Sequence, residues 1–258
     1  MAPADLPQAL NLSTSANWNQ TEEDWRRILH LADCFCTELD GQIVASASAM
    51  IYGNRDLAWI GMVLTLPAYR GRGLASTLVQ AALDHCSDVY CVKLDATDLG
   101  APVYRKYGFE DECVVERWSR QPSSTSCSTE LTDGGEPILD LDRAAFGADR
   151  TALLASFPNI CSTGDGFAMH RPGRQSAQFG PCVSETEESA RLLAGWATAR
   201  NSSNPLIWDL FESHPKARQL AHELRFTPAR RLLRMSLGGK NVAEDPSLIY
   251  ALTGFEWG

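Results

Sequence analysis

The chain has 258 residues, a formal net charge of −9 and a sequence pI near 5.1. With 44% apolar and 21% charged residues, it has the make-up of a soluble globular protein, long enough for one large domain or two. Its acidity speaks against nucleic acid or a polyanionic membrane surface as the main partner, but leaves room for a local basic pocket.

No window approaches the roughly 18 uninterrupted apolar residues of a membrane span. The opening "MAPADLPQALNLSTS" lacks the apolar core of a signal peptide, so a cytoplasmic protein without membrane attachment is expected. Cysteines stand at 34, 36, 86, 91, 113, 127, 161 and 182, none of them in a Cys-x-x-Cys pair. They read as buried thiols of a reducing compartment, with no metal site.

In chain order, "TEEDWRRILHLADCFCTE" places Trp25, Ile28, Leu29 and Ala32 at helical spacing behind a capping sequence. "QIVASASAMIYG" alternates as a strand, and "LAWIGMVLTLP" is a nearly continuous apolar strand stopped at Pro67, as expected of one buried on both faces. "LASTLVQAALDHC" is a helix with Leu74, Leu78, Ala81 and Ala82 on one face. "VYCVKLDA" is a further buried strand, and "APVYRKYGF" a short helix closed by Gly108. A Ser/Thr/Pro/Gly-rich stretch over 119–135 reads as a linker.

The order then recurs. "DGFAMHRPG" and "SAQFGPCVS" read as strands, "ETEESARLLAGWATAR" as a helix with acids in its first turn, "NPLIWDLF" as a buried strand, and "HPKARQLAHELRFTP" as a helix. Its Leu-Arg-Phe mirrors Tyr-Gly-Phe in the first half. The chain therefore reads as two copies of one mixed α/β plan.

The stretch with the most chemical content is "YRGRGLA", residues 69–75. A strand end, Arg70-Gly71-Arg72-Gly73 and a helix opening with Leu74-Ala75 gather free backbone N–H groups at one point. Glycine lets a ligand approach closely, and the helix start carries partial positive charge. Two readings stand at this point: a cradle for a phosphate, or an ordinary turn with solvated arginines.

"GMVLTLPAYRGRGLASTLVQAAL" resembles the acetyl-CoA-binding motif of the GCN5-related N-acetyltransferases (GNAT), Arg or Gln, two residues, Gly, one residue, then Gly or Ala. Here it reads Arg70-x-x-Gly73-x-Ala75. "LDATDLGAPVYRKYGF" is similar to the later strand, helix and closing Gly-Phe of that family, so that the likeness spans most of residues 20–118. The second unit resembles the divergent acetyltransferase-like domain of tandem members through "LDRAAFGADR", "FAMHRPGR", "FGPCVSETEESARLL" and "RMSLG…IYALTGFEWG". It departs after Gly180-Pro181, where "CVSETEESA" lacks the elbow and its cations, and Glu185, Glu187 and Glu188 would repel a pyrophosphate.

The resemblance implies two tandem GNAT-like domains of mixed α+β class, each a twisted, mostly antiparallel sheet flanked by helices. The boundaries are 1–118 for a domain binding acetyl-CoA, 119–135 for the linker and 136–258 for a degenerate copy. By the family pattern, Met62, Val63, Leu64 and Thr65 would hydrogen-bond the pantetheine arm and acetyl carbonyl. Arg70, Gly71, Arg72, Gly73, Leu74, Ala75 and Ser76 would hold the pyrophosphate. An amine would attack the thioester directly in a ternary complex, and Tyr104 matches the tyrosine that protonates the departing thiolate.

Many relatives place a glutamate base on the central strand, but "LAWIGMVLT" has no carboxylate. Asp95 at the end of the next strand is the first candidate, with Glu38 and a water chain as alternatives. Trp18 and Trp25 fall where the family walls its acceptor site. Asp209, at the place equivalent to Asp95, would be supplied if the second domain closes over that site; the other reading is that this domain only braces the first. The expected partner is a small primary amine, to a monomer or homodimer. The alternatives are transfer to a protein N-terminus or lysine, use of a longer acyl-CoA, and a non-catalytic CoA-binding scaffold.

Overall fold

A computed structural model describes residues 1–123 and 130–258; residues 124–129 of the expected linker, and with them Cys127, lie outside the described residues. The first half contains α1 (Leu6–Ser15), α2 (Glu22–Leu31), β1 (Asp33–Leu39), β2 (Gln42–Tyr52), β3 (Leu57–Thr65), α3 (Leu74–His85), β4 (Cys91–Ala96), α4 (Ala101–Arg105) and β5 (Phe109–Arg120). The second contains α5 (Leu139–Phe146), α6 (Thr151–Leu154), β6 (Asn159–Ser162), β7 (Gly166–Arg171), β8 (Ala177–Ser184), α7 (Glu187–Arg200), β9 (Leu206–Phe211), α8 (Pro215–Glu223) and β10 (Thr227–Leu237), followed by β11 (Ile249–Ala251). Up to β10 the order repeats element for element.

Local chemistry sets these boundaries. Thr21 caps α2 by accepting from the Asp24 N–H at 3.1 Å, while the Asp24 carboxylate accepts from the Thr21 N–H at 2.9 Å. The helix stops at Leu31 instead of running on through Glu38, because Asp33–Leu39 pairs antiparallel with β2. Cys34, Phe35 and Cys36 suit a half-buried pleated strand once a partner edge is available. At the close of α4, Gly108 takes φ +87°, and at the equivalent turn after α8 Arg225 takes φ +64°. The Leu-Arg-Phe of the second copy thus keeps a left-handed turn without its glycine.

All strands but β11 lie in the order β1-β2-β3-β4-β10-β5-β9-β8-β7-β6, and β11 pairs with β8. Substituting each strand by its repeat counterpart reverses that order, so the sheet has an approximate two-fold axis between β10 and β5. The last strand of each copy has changed sides. β10 pairs with β4 of the first half, and β5 pairs with β9 of the second. The expected boundary near residue 118 therefore falls inside a continuous sheet, and β5 extends through Arg120 into the stretch expected to be linker.

One large core lies on the sheet face covered by α1, α2 and α5. It joins Trp25, Trp59 and Phe146 to Phe167, Phe211 and Trp257. Residues 253–258 run beneath β3. Tyr52 donates to the Trp257 carbonyl at 2.7 Å, and Trp59 Nε1 donates to the Phe255 carbonyl at 3.0 Å. The opposite face carries α3 and α4 in the first half and α7 and α8 in the second.

Candidate functional site

β3 and β4 run parallel and pair only over Leu57–Trp59 against Cys91–Lys93. Beyond those residues the two strands separate. The departure is built into β3. Its register against β2 slips between Gly61 and Leu64, Met62 takes φ +48°, and Ser46 Oγ fixes the turned Met62 carbonyl at 2.8 Å. Backbone groups of Met62, Val63, Leu64 and Thr65 on the β4 side are thus left without a strand partner. The Thr65 hydroxyl oxygen is buried and has no hydrogen-bond partner among the described residues.

The elbow follows directly. A short turn over Pro67–Tyr69 leads to Gly71 at φ +76° and to Gly73, the α3 N-cap, at φ +78°. Both glycines are needed for this left-handed backbone, and a Cβ at either would meet no atom within 4 Å. The surface in front of them is open. Among the described residues no carbonyl accepts from the N–H groups between Gly71 and Ser76, as expected of the orphan donors of a helix start. Arg70 Nε donates to the Thr65 carbonyl at 3.2 Å, and the Arg72 guanidinium lies 5.0 Å from the Tyr69 ring centre. A loop of positive φ, free N–H groups and exposed guanidinium edges suits an anion of pyrophosphate size.

Tyr104 lies on α4, its ring against Gly100 and edge-on to Phe109. Its hydroxyl has no hydrogen-bond partner among the described residues, and burial pushes its pKa up to about 12. A phenol held protonated is in the right state to donate a proton. Tyr107 instead donates to the Ser76 carbonyl at 2.9 Å and ties α4 to α3.

The carboxylates expected near the acceptor are already paired. Arg234 of β10 donates to both Asp95 oxygens, at 2.9 and 3.0 Å, and the Asp95 side chain is fully buried. Burial raises the Asp95 pKa against the opposing pull of Arg234. With both oxygens occupied, this carboxylate is not free to take a proton from an amine, which corrects its assignment as the base. Asp209 is held the same way by Arg117 of β5, at 2.7 Å for both bonds, and also accepts from Gln178 at 2.7 Å. The two pairs are related by the approximate two-fold axis. Each joins an aspartate of one half to an arginine on the strand received from the other.

The other expected acceptor residues lie apart from these carboxylates. Trp25 is fully buried and donates to Ser13 Oγ at 2.9 Å, a core residue with no pocket face. Trp18 is half-buried between α1 and α2, packs on the main core and gives its carbonyl to Arg174. Glu38 is exposed on β1, with β2 between it and β3. Among the described residues no group of histidine, cysteine and carboxylate side chains could hold a metal, and no helix is long and apolar enough to cross a membrane.

The second half carries the same cleft, but its own chain fills it. β8 and β9 pair over Ala177–Phe179 and Leu206–Trp208 and then part. Between them lies β11, bonded to β8 at Cys182 and Val183, while the Leu252 N–H donates to the Asp209 carbonyl at 2.8 Å. A Cβ on Gly180 would come within 1.9 Å of the Leu252 carbonyl oxygen, so the fit has no slack. At the start of α7, the Asp165 carboxylate accepts from Ser189 Oγ and, at 2.6 Å, from Thr186 Oγ1. An internal strand and an internal anion thus stand where the first half is open.

Sequence reasoning missed Arg117, Arg234, Asp165 and β11. The repeat contained a signal for the arginines, since each lies near the middle of the strand that closes its copy.

The acetyltransferase (GNAT) family model matches residues 5–109, and an acetyltransferase (GNAT) domain model matches residues 138–251. The uncharacterized N-acetyltransferase YitH of Bacillus subtilis (strain 168) is 26% identical over 239 residues, 84% of this chain and 83% of that protein. The glucosamine 6-phosphate N-acetyltransferase of Trypanosoma brucei brucei is 35% identical over 91 residues, which span 33% of this chain and 62% of that one. The fold matches a candidate acetyltransferase from Pyrococcus horikoshii with TM-score 0.88 at 20% identity, covering 100% of this chain and 94% of that one. A tandem GNAT protein from the clavulanic acid biosynthesis pathway matches with TM-score 0.66 at 14% identity, over 93% and 98% of the two chains. Family matches over both halves and a shared architecture lead to one conclusion: the chain belongs to the GNAT superfamily as a tandem member, an acetyl-CoA-dependent acyltransferase whose C-terminal half is the divergent copy.

Proposed function

We propose that the first half transfers acetyl from acetyl-CoA to the primary amine of a small molecule, by direct attack in a ternary complex. The observation that carries this reading is the contrast between the two clefts. One is open, with unpaired β3 backbone leading into the glycine elbow. The other is filled by β11 and Asp165. When bound, acetyl-CoA would supply the thioester whose carbonyl is attacked.

Met62, Val63, Leu64 and Thr65 would receive the pantetheine arm along their free edge, and a backbone donor there would stabilise the oxyanion by about 3 kcal/mol. Arg70, Gly71, Arg72, Gly73, Leu74, Ala75 and Ser76 would hold the pyrophosphate through N–H groups and guanidinium edges. Tyr104 would deliver its proton to the departing sulfur. With Asp95 and Asp209 both engaged by arginine, proton loss from the amine would go through water. A small acceptor is favoured over a peptide because residues 253–258 cover the sheet face beneath β3. A cytoplasmic setting belongs to the same proposal.

Calorimetric titration of acetyl-CoA should give one site per chain, at a strength on the order of micromolar. Two sites would refute the account of the second cleft, and no binding would refute the cofactor assignment. Tyr104→Phe should lower kcat by about 100-fold with little change in acetyl-CoA affinity. Since burial holds this phenol up to about 12, against an ordinary 10.0, the protonated acid persists as pH rises. The wild-type kcat profile should therefore show no tyrosine-dependent fall through pH of about 10, checked by steady-state rates.

A further inference from the structure

We propose that Arg230 binds an anionic group, a carboxylate or a phosphate, carried by the acceptor amine. The inference rests on the reading of the first half as an amine acetyltransferase and adds the chemical class of its substrate.

Arg230 lies on β10 directly opposite Arg117 of β5 in the strand register. Four residues further along the same strand is Arg234. Two of these three guanidiniums are neutralised, Arg117 by Asp209 and Arg234 by Asp95. Arg230 is not. It makes no hydrogen bond or ion pair with the described residues, and partial burial together with the Arg117 charge holds its pKa below the ordinary arginine range. Its strand neighbour Arg231 is already engaged by Glu212 and, at 3.9 Å, by Glu116. Arg230 is thus the one of the three guanidiniums without a paired carboxylate; Asp209 and Asp98 act on its charge only at longer range, and its side chain is exposed to open space.

That space is a recess of about 530 Å³ between residues 228–231 and the loop Thr97–Leu99 that follows β4. Asp98 on its far side forms no ion pair with Arg230, and Leu99 is 91% exposed at its lip. The same loop supports the proposed acid: the Gly100 N–H donates to the Thr97 carbonyl at 2.9 Å, and the Tyr104 ring packs on Gly100. The recess and Tyr104 therefore share one short loop. The elbow proposed for the pyrophosphate lies on the β3 side of β4, whereas the recess is on the β10 side. An exposed guanidinium without an ion-pair partner is free to take a bidentate anion. An amine whose other end is anionic would be anchored there with its nitrogen free to turn toward the thioester.

The test uses the full chain saturated with CoA. The arginine Nε–Hε groups are followed by NMR while inorganic phosphate or acetate replaces chloride at constant ionic strength. One resonance, absent from Arg230→Gln, should shift saturably. A response to phosphate alone points to a phosphorylated amine, and one to acetate alone to an amino-acid-like acceptor. No saturable shift with either anion, or the same shift in Arg230→Gln, overturns the proposal. So does a tenfold or greater loss of acetyl-CoA affinity in Arg230→Gln, which would place the residue in the cofactor site. Failure of acetyl-CoA to bind the wild type would instead remove the underlying function, so the two failures are distinguishable.

Discussion

Replacing Arg234 with methionine should destabilise the folded protein by about 3–5 kcal/mol, read from the midpoint of chemical denaturation. Arg234 and Asp95 expose 3% and 0% of their side chains. The guanidinium also lies 4.5 Å from the Trp59 ring centre and 4.9 Å from that of Phe211. Methionine fills much of the space but leaves an unpaired carboxylate in the sheet. The penalty is the desolvation of that charge more than the loss of the pair, so Asp95→Leu combined with Arg234→Met should recover most of the stability. A loss of less than about 1 kcal/mol, as for a surface ion pair, would contradict this account. The rival role for Asp95, a free base, has another signature: Asp95→Asn would abolish kcat at unchanged stability.

Gly73→Glu should abolish acetyl-CoA binding, with affinity falling by about 100-fold or more, equivalent to about 3 kcal/mol. Two effects combine. The α3 N-cap at φ +78° strains any residue with a Cβ, by about 1–2 kcal/mol. The carboxylate would then occupy the helix start proposed for the pyrophosphate. Nothing lies within 4 Å of the new Cβ, so the fold should survive. Gly73→Asn separates the contributions, because asparagine tolerates the left-handed region and carries no charge. It should retain much more affinity at a similar thermal midpoint. Titration of both variants checks this, and wild-type binding by Gly73→Glu would remove the elbow from the cofactor site.

Much of the architecture was legible in the sequence because its signals are local. The apolar run 57–66, the elbow 69–75 and the capped helices each announce themselves within a dozen residues. So does the repeat. The exchange of β5 and β10 was not legible, because it is a matter of which edge a strand meets, and both strands would look the same in either position. The roles of Asp95 and Asp209 failed for that reason. A carboxylate at the end of a buried strand signals a partner or a cavity, but the partner sits 139 residues away for Asp95 and 92 for Asp209. Trp25 shows the ordinary ambiguity of an aromatic at helical spacing, resolved here by Ser13 and the core. β11 was hidden because three residues carry too little pattern to mark a strand.

The crossed strands give the molecule the character of a dimer written in one chain. Without β10, β4 would present an unpaired sheet edge next to the open cleft, and without β5 so would β9. A half-chain expressed alone would need a second copy to cover that edge, and its assembly would depend on concentration. The covalent connection between β5 and α5 makes the same encounter intramolecular, so it no longer depends on protein concentration. The degenerate copy can therefore lose its own cleft to β11 and still be needed, because β4, which borders the open cleft, is covered on its other edge by a strand that only the degenerate copy provides.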